Sequence, residues 1–132
     1  MGGMPTEPLE PAASIDDLRA RYLVALDTVQ LAGDCTMEVL VAVREARKLT
    51  REHVERGRPV IELENVIEPQ SLRGALGDTL AEFERARHDA QRLLFQLMHA
   101  EGNTLADIGR AFGISRQLVS RLVNEPDPKP GV

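Results

Sequence analysis

Cysteine, aromatic residues and long apolar runs are scarce in this sequence. Cys35 is the only cysteine among 132 residues, so an internal disulfide and a cysteine-rich zinc module are both excluded. Aromatic residues make up 3% of the chain, so we expect an aliphatic core. No apolar run approaches the roughly 18 residues that a membrane-spanning helix needs. These absences exclude disulfide-stabilised scaffolds and spanning proteins, and they favour a reducing, cytoplasmic setting.

The charge is distributed unevenly along the chain. Hydrophobic residues make up 42%, charged residues 28%, and the net charge is −5, a balance typical of folded globular proteins. An acidic chain is, as a whole, a poor non-specific binder of nucleic acid. Between Ile108 and Asn124, however, three arginines occur without any acidic residue: Arg110, Arg116 and Arg121. This short basic segment stands out from the rest of the chain.

The first part of the sequence predicts two helices. Ser14 is typical of a helix N-cap, and Gly33 is expected to end the helix that begins there. Asp34 is expected to begin a second helix, which ends at Gly57. We therefore predict an antiparallel helical hairpin over residues 14–57, for assembly or partner contact. The apolar positions are Ile15, Leu18, Tyr22, Leu26 and Val29 in the first helix and Val39, Val43, Ala46 and Leu49 or Thr50 in the second.

Residues 58–77 break the helical period. Ile61, Leu63 and Ile67 fall on one side at a period of two, which is typical of a strand. A single strand cannot satisfy its own backbone hydrogen bonds, and no other segment predicts a strand. Two interpretations therefore stay open. The segment is either a strand that pairs with its copy in a second subunit, or an extended linker that lies over the helices.

A long helix is predicted from Asp78 to Gly102 because apolar residues recur there at helical spacing. The two ends of the chain are rich in proline, so residues 1–13 and 126–132 are expected to be disordered. The apolar stripe of the long helix consists of Leu80, Phe83, Ala86, Ala90, Leu93, Leu97 and Met98.

The segment from Thr104 to Asn124 predicts two short helices joined by a tight turn. Thr104 and Ser115 are both suited to begin a helix, since their hydroxyls can accept a bond from a free backbone N–H. Gly113 falls in the turn, where a positive φ is needed, and Gly109 falls where the two helices cross closest. The apolar positions that seal the pair against the preceding helix are Ile108, Phe112, Ile114, Val119 and Leu122.

With these caps, glycines and apolar positions, the segment resembles the helix-turn-helix of bacterial transcription regulators. It is also similar to the DNA-binding helices of sigma-factor region 4 and of invertase and resolvase tails. The resemblance covers roughly residues 80–124, in the C-terminal half only. It implies that the second helix lies in the major groove of duplex DNA. The predicted fold is all-α, with the N-terminal hairpin and a helix-turn-helix unit at residues 78–125 on a long supporting helix.

The same resemblance implies roles for the polar side chains. Arg116 and Arg121 are expected to contact guanine edges or phosphates, and Gln117 and Asn124 are expected to contact adenine. Arg110, on the outer face of the first of the two short helices, is expected to touch the DNA backbone. Three further groups are expected to bind phosphate oxygens: the hydroxyl of Ser115, the hydroxyl of Ser120 and the backbone amides at the helix start near Thr104.

No group of residues indicates catalysis or metal binding. His53, His88 and His99 are scattered and have no partner at ligand spacing. The sequence contains no phosphate-binding loop and no nucleophile motif. We therefore expect no metal, no cofactor and no enzymatic activity.

The expected function is sequence-specific binding of duplex DNA by a nucleoid-associated bacterial transcription regulator. A homodimer is favoured because the hairpin and the strand-like segment lack partners within the chain. The alternative is an interaction adaptor that binds RNA polymerase or another regulator through its acidic N-terminal half.

Overall fold

The part of the chain that the computed structural model describes, residues 14–128, consists of helices joined by short turns and coil. No strand occurs within that range, so the predicted all-α class is confirmed. Residues 1–13 and 129–132, which were expected to be disordered, lie outside the described residues. The elements are α1 Ile15–Glu55, a 3₁₀-helix Val60–Leu63, α2 Glu64–Ile67, α3 Pro69–Ala100, α4 Leu105–Phe112 and α5 Arg116–Val123.

α1 is one uninterrupted helix of 41 residues, so the predicted hairpin over residues 14–57 is wrong. The predicted start is correct, because the backbone N–H of Asp17 donates to the hydroxyl of Ser14 at 3.0 Å. The helix continues through Gly33 because its inward face is unbroken. Buried and half-buried side chains alternate at spacings of three and four residues from Ile15 to His53. Burial along such a stripe outweighs the roughly 1 kcal/mol that one glycine costs a helix.

The chain divides into two compact units. One unit joins the start of α1, up to Val24, to the chain from Gln91 onwards, and the other comprises Ala25–Ala90. Within the second unit α1 and α3 run antiparallel. Gly33 lies against the Phe83 ring, where an added β carbon would be 3.6 Å from Cε1. Further along α1, Thr50 shares a cavity lining with the beginning of α3.

Residues 60–77 are helical except at Glu68, so both the strand and the extended linker were wrong. Of the apolar residues at period two, Leu63 is 6% exposed, whereas Ile61 is 72% exposed. The alternation therefore does not correspond to a buried face. Glu68 adopts a left-handed conformation with φ 51° and redirects the chain into α3. Pro69 suits the first position of that helix, since a proline has no N–H to leave unpaired there.

Candidate nucleic-acid interface

Four buried side chains hold α4 and α5 against α3. Phe95 of α3, Ile108 of α4, and Val119 and Leu122 of α5 are at most 5% exposed. Of the five positions predicted to seal the pair, three are buried and Ile114 is half-buried. Phe112 stays 43% exposed, although its ring meets Phe95 edge-on at 4.9 Å between centroids. Because the apolar face of α5 is buried in this core, its opposite face is directed to solvent. The half-buried residues around the core are Leu94, Met98, Leu105, Ile114, Leu118 and Val123.

Both short helices begin at the predicted caps. The hydroxyl of Thr104 accepts a hydrogen bond from the N–H of Asp107 at 3.0 Å. The hydroxyl of Ser115 accepts one from the N–H of Leu118 at 3.1 Å. Each bond satisfies a backbone donor that the helix start would otherwise leave unpaired, which stabilises a helix by about 1 kcal/mol. The hydroxyl of Ser115, which was predicted to face phosphate, is therefore also the group that fixes where α5 begins.

The turn between the helices depends on two glycines, as predicted. Gly113 caps α4 in the left-handed conformation, with φ 67° and ψ 32°. The N–H of Ile114 then donates to the carbonyl of Gly109 at 2.9 Å. An added β carbon on Gly109 would stand 2.7 Å from the carbonyl oxygen of Ile114, well inside van der Waals contact. Only glycine lets the turn approach α4 so closely.

The outer face of α5 presents two arginines. Arg116 and Arg121 are exposed, and neither forms an ion pair with any residue in the described range. Gln117, between them in sequence, is exposed as well. These three side chains lie on the surface of a helix whose inward face is fixed by the core. The structure therefore leaves two guanidinium groups available to a negatively charged ligand.

Arg110 and the residues at the end of α5 have bonding partners within the chain, unlike Arg116 and Arg121. Arg110 forms an ion pair with Asp107 one turn earlier on α4, so its charge is already partly balanced. The side-chain amide of Asn124 donates to the carbonyl of Ser120 at 2.8 Å and reaches its hydroxyl at 3.4 Å. Ser120 itself is half-buried. Asn124 and Ser120 thus bond to each other at the C-terminal end of α5.

A carboxylate after the last helix forms a contact that the sequence did not predict. Asp127 accepts hydrogen bonds from Arg21 at 2.7 Å and from Arg92 at 2.9 Å. Arg92 is 1% exposed, so its charge is buried in the fold. The hydrogen bond from Arg21, reinforced by Arg92, holds the pKa of Asp127 below its usual value. The prediction of a disordered tail from residue 126 is therefore wrong up to residue 128, the last one described.

The end of α5 is held by a second contact. The side-chain amide of Gln96 donates to the carbonyl of Val123 at 3.1 Å. A carbonyl in the last turn of a helix has no partner within the helix, so this bond satisfies an acceptor that would otherwise need water. Together with Asp127, it fastens the end of α5 to α3. No local pattern reveals these contacts, since each partner lies 27 or 35 positions away along the chain.

Potential metal ligands are dispersed among residues 14–128. No three or more histidine, cysteine or acidic side chains converge there as a metal site would require. Cys35 is a free, exposed thiol. Of the helices described, none is both long and apolar enough to cross a membrane.

Comparison with known proteins adds no assignment. No protein family, no curated protein and no solved structure matches this chain.

Proposed function

We propose that this protein binds duplex DNA in a sequence-specific manner, in the way of a bacterial helix-turn-helix transcription regulator. The observation that carries the proposal is the pair Arg116 and Arg121. Both are exposed on one helix and lack an acidic partner among residues 14–128. Arginine is suited to this role because its planar guanidinium binds phosphates and guanine edges through two hydrogen bonds at once.

In this proposal α5 enters the major groove and its first residues reach the base edges. Arg116 and Gln117 are at that end of the helix, so they read the sequence. Arg121, about one turn later, binds a phosphate or a further guanine. Thr104 and Ser115 present exposed hydroxyls to the DNA backbone. Arg110 reaches a phosphate only by exchanging its bond with Asp107 for one with DNA.

Ser120 and Asn124 take a smaller part than the sequence predicted. Their mutual hydrogen bond closes the C-terminal end of α5, away from the base-reading end. A single small unit with two available arginines binds DNA weakly by itself. Two copies double the number of contacts and read two half-sites spaced by about 34 Å, one helical turn of DNA.

The proposal is tested by fluorescence anisotropy of a labelled duplex, titrated at several salt concentrations between roughly 50 and 200 mM. A duplex selected from a random library serves as the specific site. Phosphate contacts release counterions, so the logarithm of the affinity is expected to fall linearly with the logarithm of the salt concentration. Arg116→Ala and Arg121→Ala are each expected to weaken binding by about 1–3 kcal/mol, which corresponds to roughly 5- to 150-fold.

Arg85→Ala is the matched control. Arg85 is an exposed arginine on α3 that already pairs with Glu82, so its loss changes the net charge equally without touching α5. It is expected to leave the affinity unchanged within about twofold. Equal losses from all three variants would indicate a general charge effect and contradict the proposal. So would a flat titration at low salt with protein whose helical circular dichroism is intact.

A second candidate function is an interaction adaptor that binds RNA polymerase or another regulator through the acidic N-terminal half. The observation in its favour is the exposed apolar surface of α1, where Leu31 is 66% and Met37 is 64% exposed. This candidate predicts no affinity for DNA at any salt concentration. The same titration therefore separates the two candidates.

A further inference from the structure

α1 carries four cations on one exposed face near its C-terminal end. Their positions follow the spacing of three, four and seven residues that places side chains on the same face of a helix. All four side chains are exposed. We call this surface the basic stripe; it consists of Arg44, Arg47, Lys48 and Arg51. A dense group of positive charges thus lies on a chain whose net charge is −5.

The basic stripe is poorly neutralised by its surroundings. Arg51 pairs with Glu55 at 3.3 Å, but the other three members form no ion pair with any residue of the range 14–128. For Arg44 and Arg47 the reason lies in the helix itself, because the positions three and four residues away on either side hold no acidic residue. Those positions hold other members of the stripe instead, so like charges face each other and destabilise the helix. An anion bound over the stripe would relieve this repulsion.

We propose that the basic stripe binds the phosphate backbone of duplex DNA, whatever its base sequence. From Arg44 to Arg51 the stripe extends about 10 Å, at 1.5 Å per residue. One strand of B-DNA carries a phosphate about every 3.4 Å along its axis, so about three phosphates of a strand lie within that distance. The charges of the stripe therefore match a run of phosphates, and they are spread too widely for one free phosphate to contact them all.

Anionic lipid is the other surface that presents many phosphates. A helix that binds at a membrane surface places its apolar face in the lipid and keeps its charges towards water. At the level of the stripe, the apolar face of α1 is directed into the fold instead, where Val43 and Ala46 are half-buried. The four members of the stripe include no apolar side chain. A nucleic-acid backbone requires no apolar insertion, so the observed surface favours DNA.

The basic stripe is separate from the base-reading helix. It belongs to the unit formed by Ala25–Ala90, whereas α5 belongs to the other unit. Contacts to phosphates add affinity for every duplex, whereas contacts to base edges add affinity only for some sequences. The proposal therefore goes beyond the function proposed for α5, and the two can be tested apart.

The first test measures binding to a labelled duplex of random sequence by fluorescence anisotropy at about 50 mM salt. The full chain carries Arg116→Ala and Arg121→Ala, so that the arginines of α5 do not contribute. Adding Arg44→Gln, Arg47→Gln and Lys48→Gln is expected to weaken the remaining binding at least about tenfold. The slope of log affinity against log salt is expected to become shallower by about 2–3, since each phosphate contact contributes about 0.9.

The matched control replaces three arginines that already have acidic partners. Arg19→Gln, Arg58→Gln and Arg85→Gln change the net charge by the same amount, and all three side chains are exposed. This variant is expected to keep the affinity within about twofold, because its arginines are partly balanced by their own acids. Circular dichroism verifies that the helices persist in both variants.

The second test locates the bound duplex by the reactivity of Lys48 in the otherwise unchanged chain. Acetylation of its amine is followed by mass spectrometry of the peptide that contains it. A saturating random duplex is expected to slow acetylation at least about threefold, because a phosphate bound to the ammonium favours the protonated form, which does not react. Inorganic phosphate at the same phosphate concentration is expected to leave the rate unchanged.

The proposal is overturned if Lys48 reacts equally fast in free and duplex-bound protein, or if the stripe and control variants lose affinity equally. It is also overturned if inorganic phosphate protects Lys48 as well as the duplex does, or if vesicles of anionic lipid protect it and the duplex does not. The function proposed for α5 fails by a different result. Equal affinity for selected and random duplexes, with Lys48 still protected, would contradict sequence-specific binding and leave the basic stripe as a backbone site.

Discussion

Gly109 and Ile114 approach each other so closely that no other residue fits at position 109. The carbonyl oxygen of Ile114 would lie 2.7 Å from a β carbon on Gly109. That oxygen belongs to the backbone of the turn, which a hydrogen bond from Ile114 to Gly109 holds in place. A side chain at this position can be accommodated only if the turn and α5 move away from α4.

Gly109→Ala is therefore expected to lower the free energy of unfolding by about 2 kcal/mol or more, because backbone atoms cannot yield as a side chain can. Urea denaturation followed by circular dichroism measures the loss. Gly74→Ala is the control, since Gly74 lies inside α3 with no atom near its vacant β position. It is expected to stabilise the protein by up to about 1 kcal/mol. Losses of similar size in both variants would contradict the close approach.

Gly113→Ala is expected to cost less, about 1–2 kcal/mol. No atom lies within 4 Å of the vacant β position, so the cost comes from the backbone conformation alone, with φ 67°. Gly113→Asn is expected to cost less than Gly113→Ala, because asparagine tolerates the left-handed region better than alanine does. The same denaturation experiment shows which of the two variants has the lower free energy of unfolding. If asparagine and alanine were equally destabilising, crowding rather than φ would be responsible.

Gly33→Ala is expected to raise the free energy of unfolding by up to about 1 kcal/mol, since alanine favours a helix interior more than glycine does. The new methyl group would lie 3.6 Å from the Phe83 ring, an ordinary van der Waals contact. The sign of this change distinguishes two structures. If Gly33 ended a helix with a positive φ, alanine at this position would lower the free energy of unfolding instead of raising it. A lower unfolding free energy would therefore favour the hairpin over the continuous α1.

Asp127→Asn is expected to destabilise the folded state by about 1–2 kcal/mol at neutral pH, since the buried guanidinium of Arg92 loses a charged acceptor. The loss is small because the Asp127 side chain is 61% exposed and water screens its charge. Asp16→Asn is the control. That carboxylate pairs with Arg19 at 3.4 Å and is 95% exposed, so its loss should change stability by less than about 0.5 kcal/mol. Equal effects would show that Asp127 is merely another surface charge.

The contribution of Asp127 is also expected to depend on pH. Its folded pKa is lowered from 3.8, so the folded state binds the proton less readily than the unfolded state does. The stabilisation is thus complete above the unfolded pKa and is lost as the pH falls through the folded pKa. The difference in unfolding free energy between wild type and Asp127→Asn should be constant near neutrality and shrink below 3.8. A difference that grew on acidification would contradict this assignment.

The starts of α4 and α5 and the turn between them could be predicted from the sequence, because the residues that determine them lie close to one another along the chain. Thr104 and Ser115 act within three residues of themselves, and Gly109 and Gly113 act within the turn they form. Sequence spacing contains all of that information. The anchor at Asp127 depends instead on Arg92, 35 positions earlier, and nothing near either residue indicates the other.

The hairpin predicted for the N-terminal part is wrong because local signals for a helix end and a helix start competed with the inward stripe that runs along the whole of α1. Gly33 and Asp34 are typical of a helix end and a helix start. The inward stripe passes through them on Ala32 and Thr36, two small residues that contribute little to an apolar pattern although both are buried. In the segment after α1, Ile61 and Leu63 alternate like a strand, but a strand needs a neighbour to bond with, and this chain offers none in the described range.

The link between Arg92 and Asp127 also has a consequence for the protein while it is being made. Translation proceeds at about 5–20 residues per second, so Arg92 is polymerised roughly 2–7 s before Asp127, to which it donates a hydrogen bond. The bonds from Arg21 and Arg92 to Asp127 therefore cannot form while the nascent chain stops short of residue 127. A ribosome paused just beyond α5 would hold a polypeptide in which every helix of the described range is synthesised and the ion pair between Arg92 and Asp127 has not yet formed.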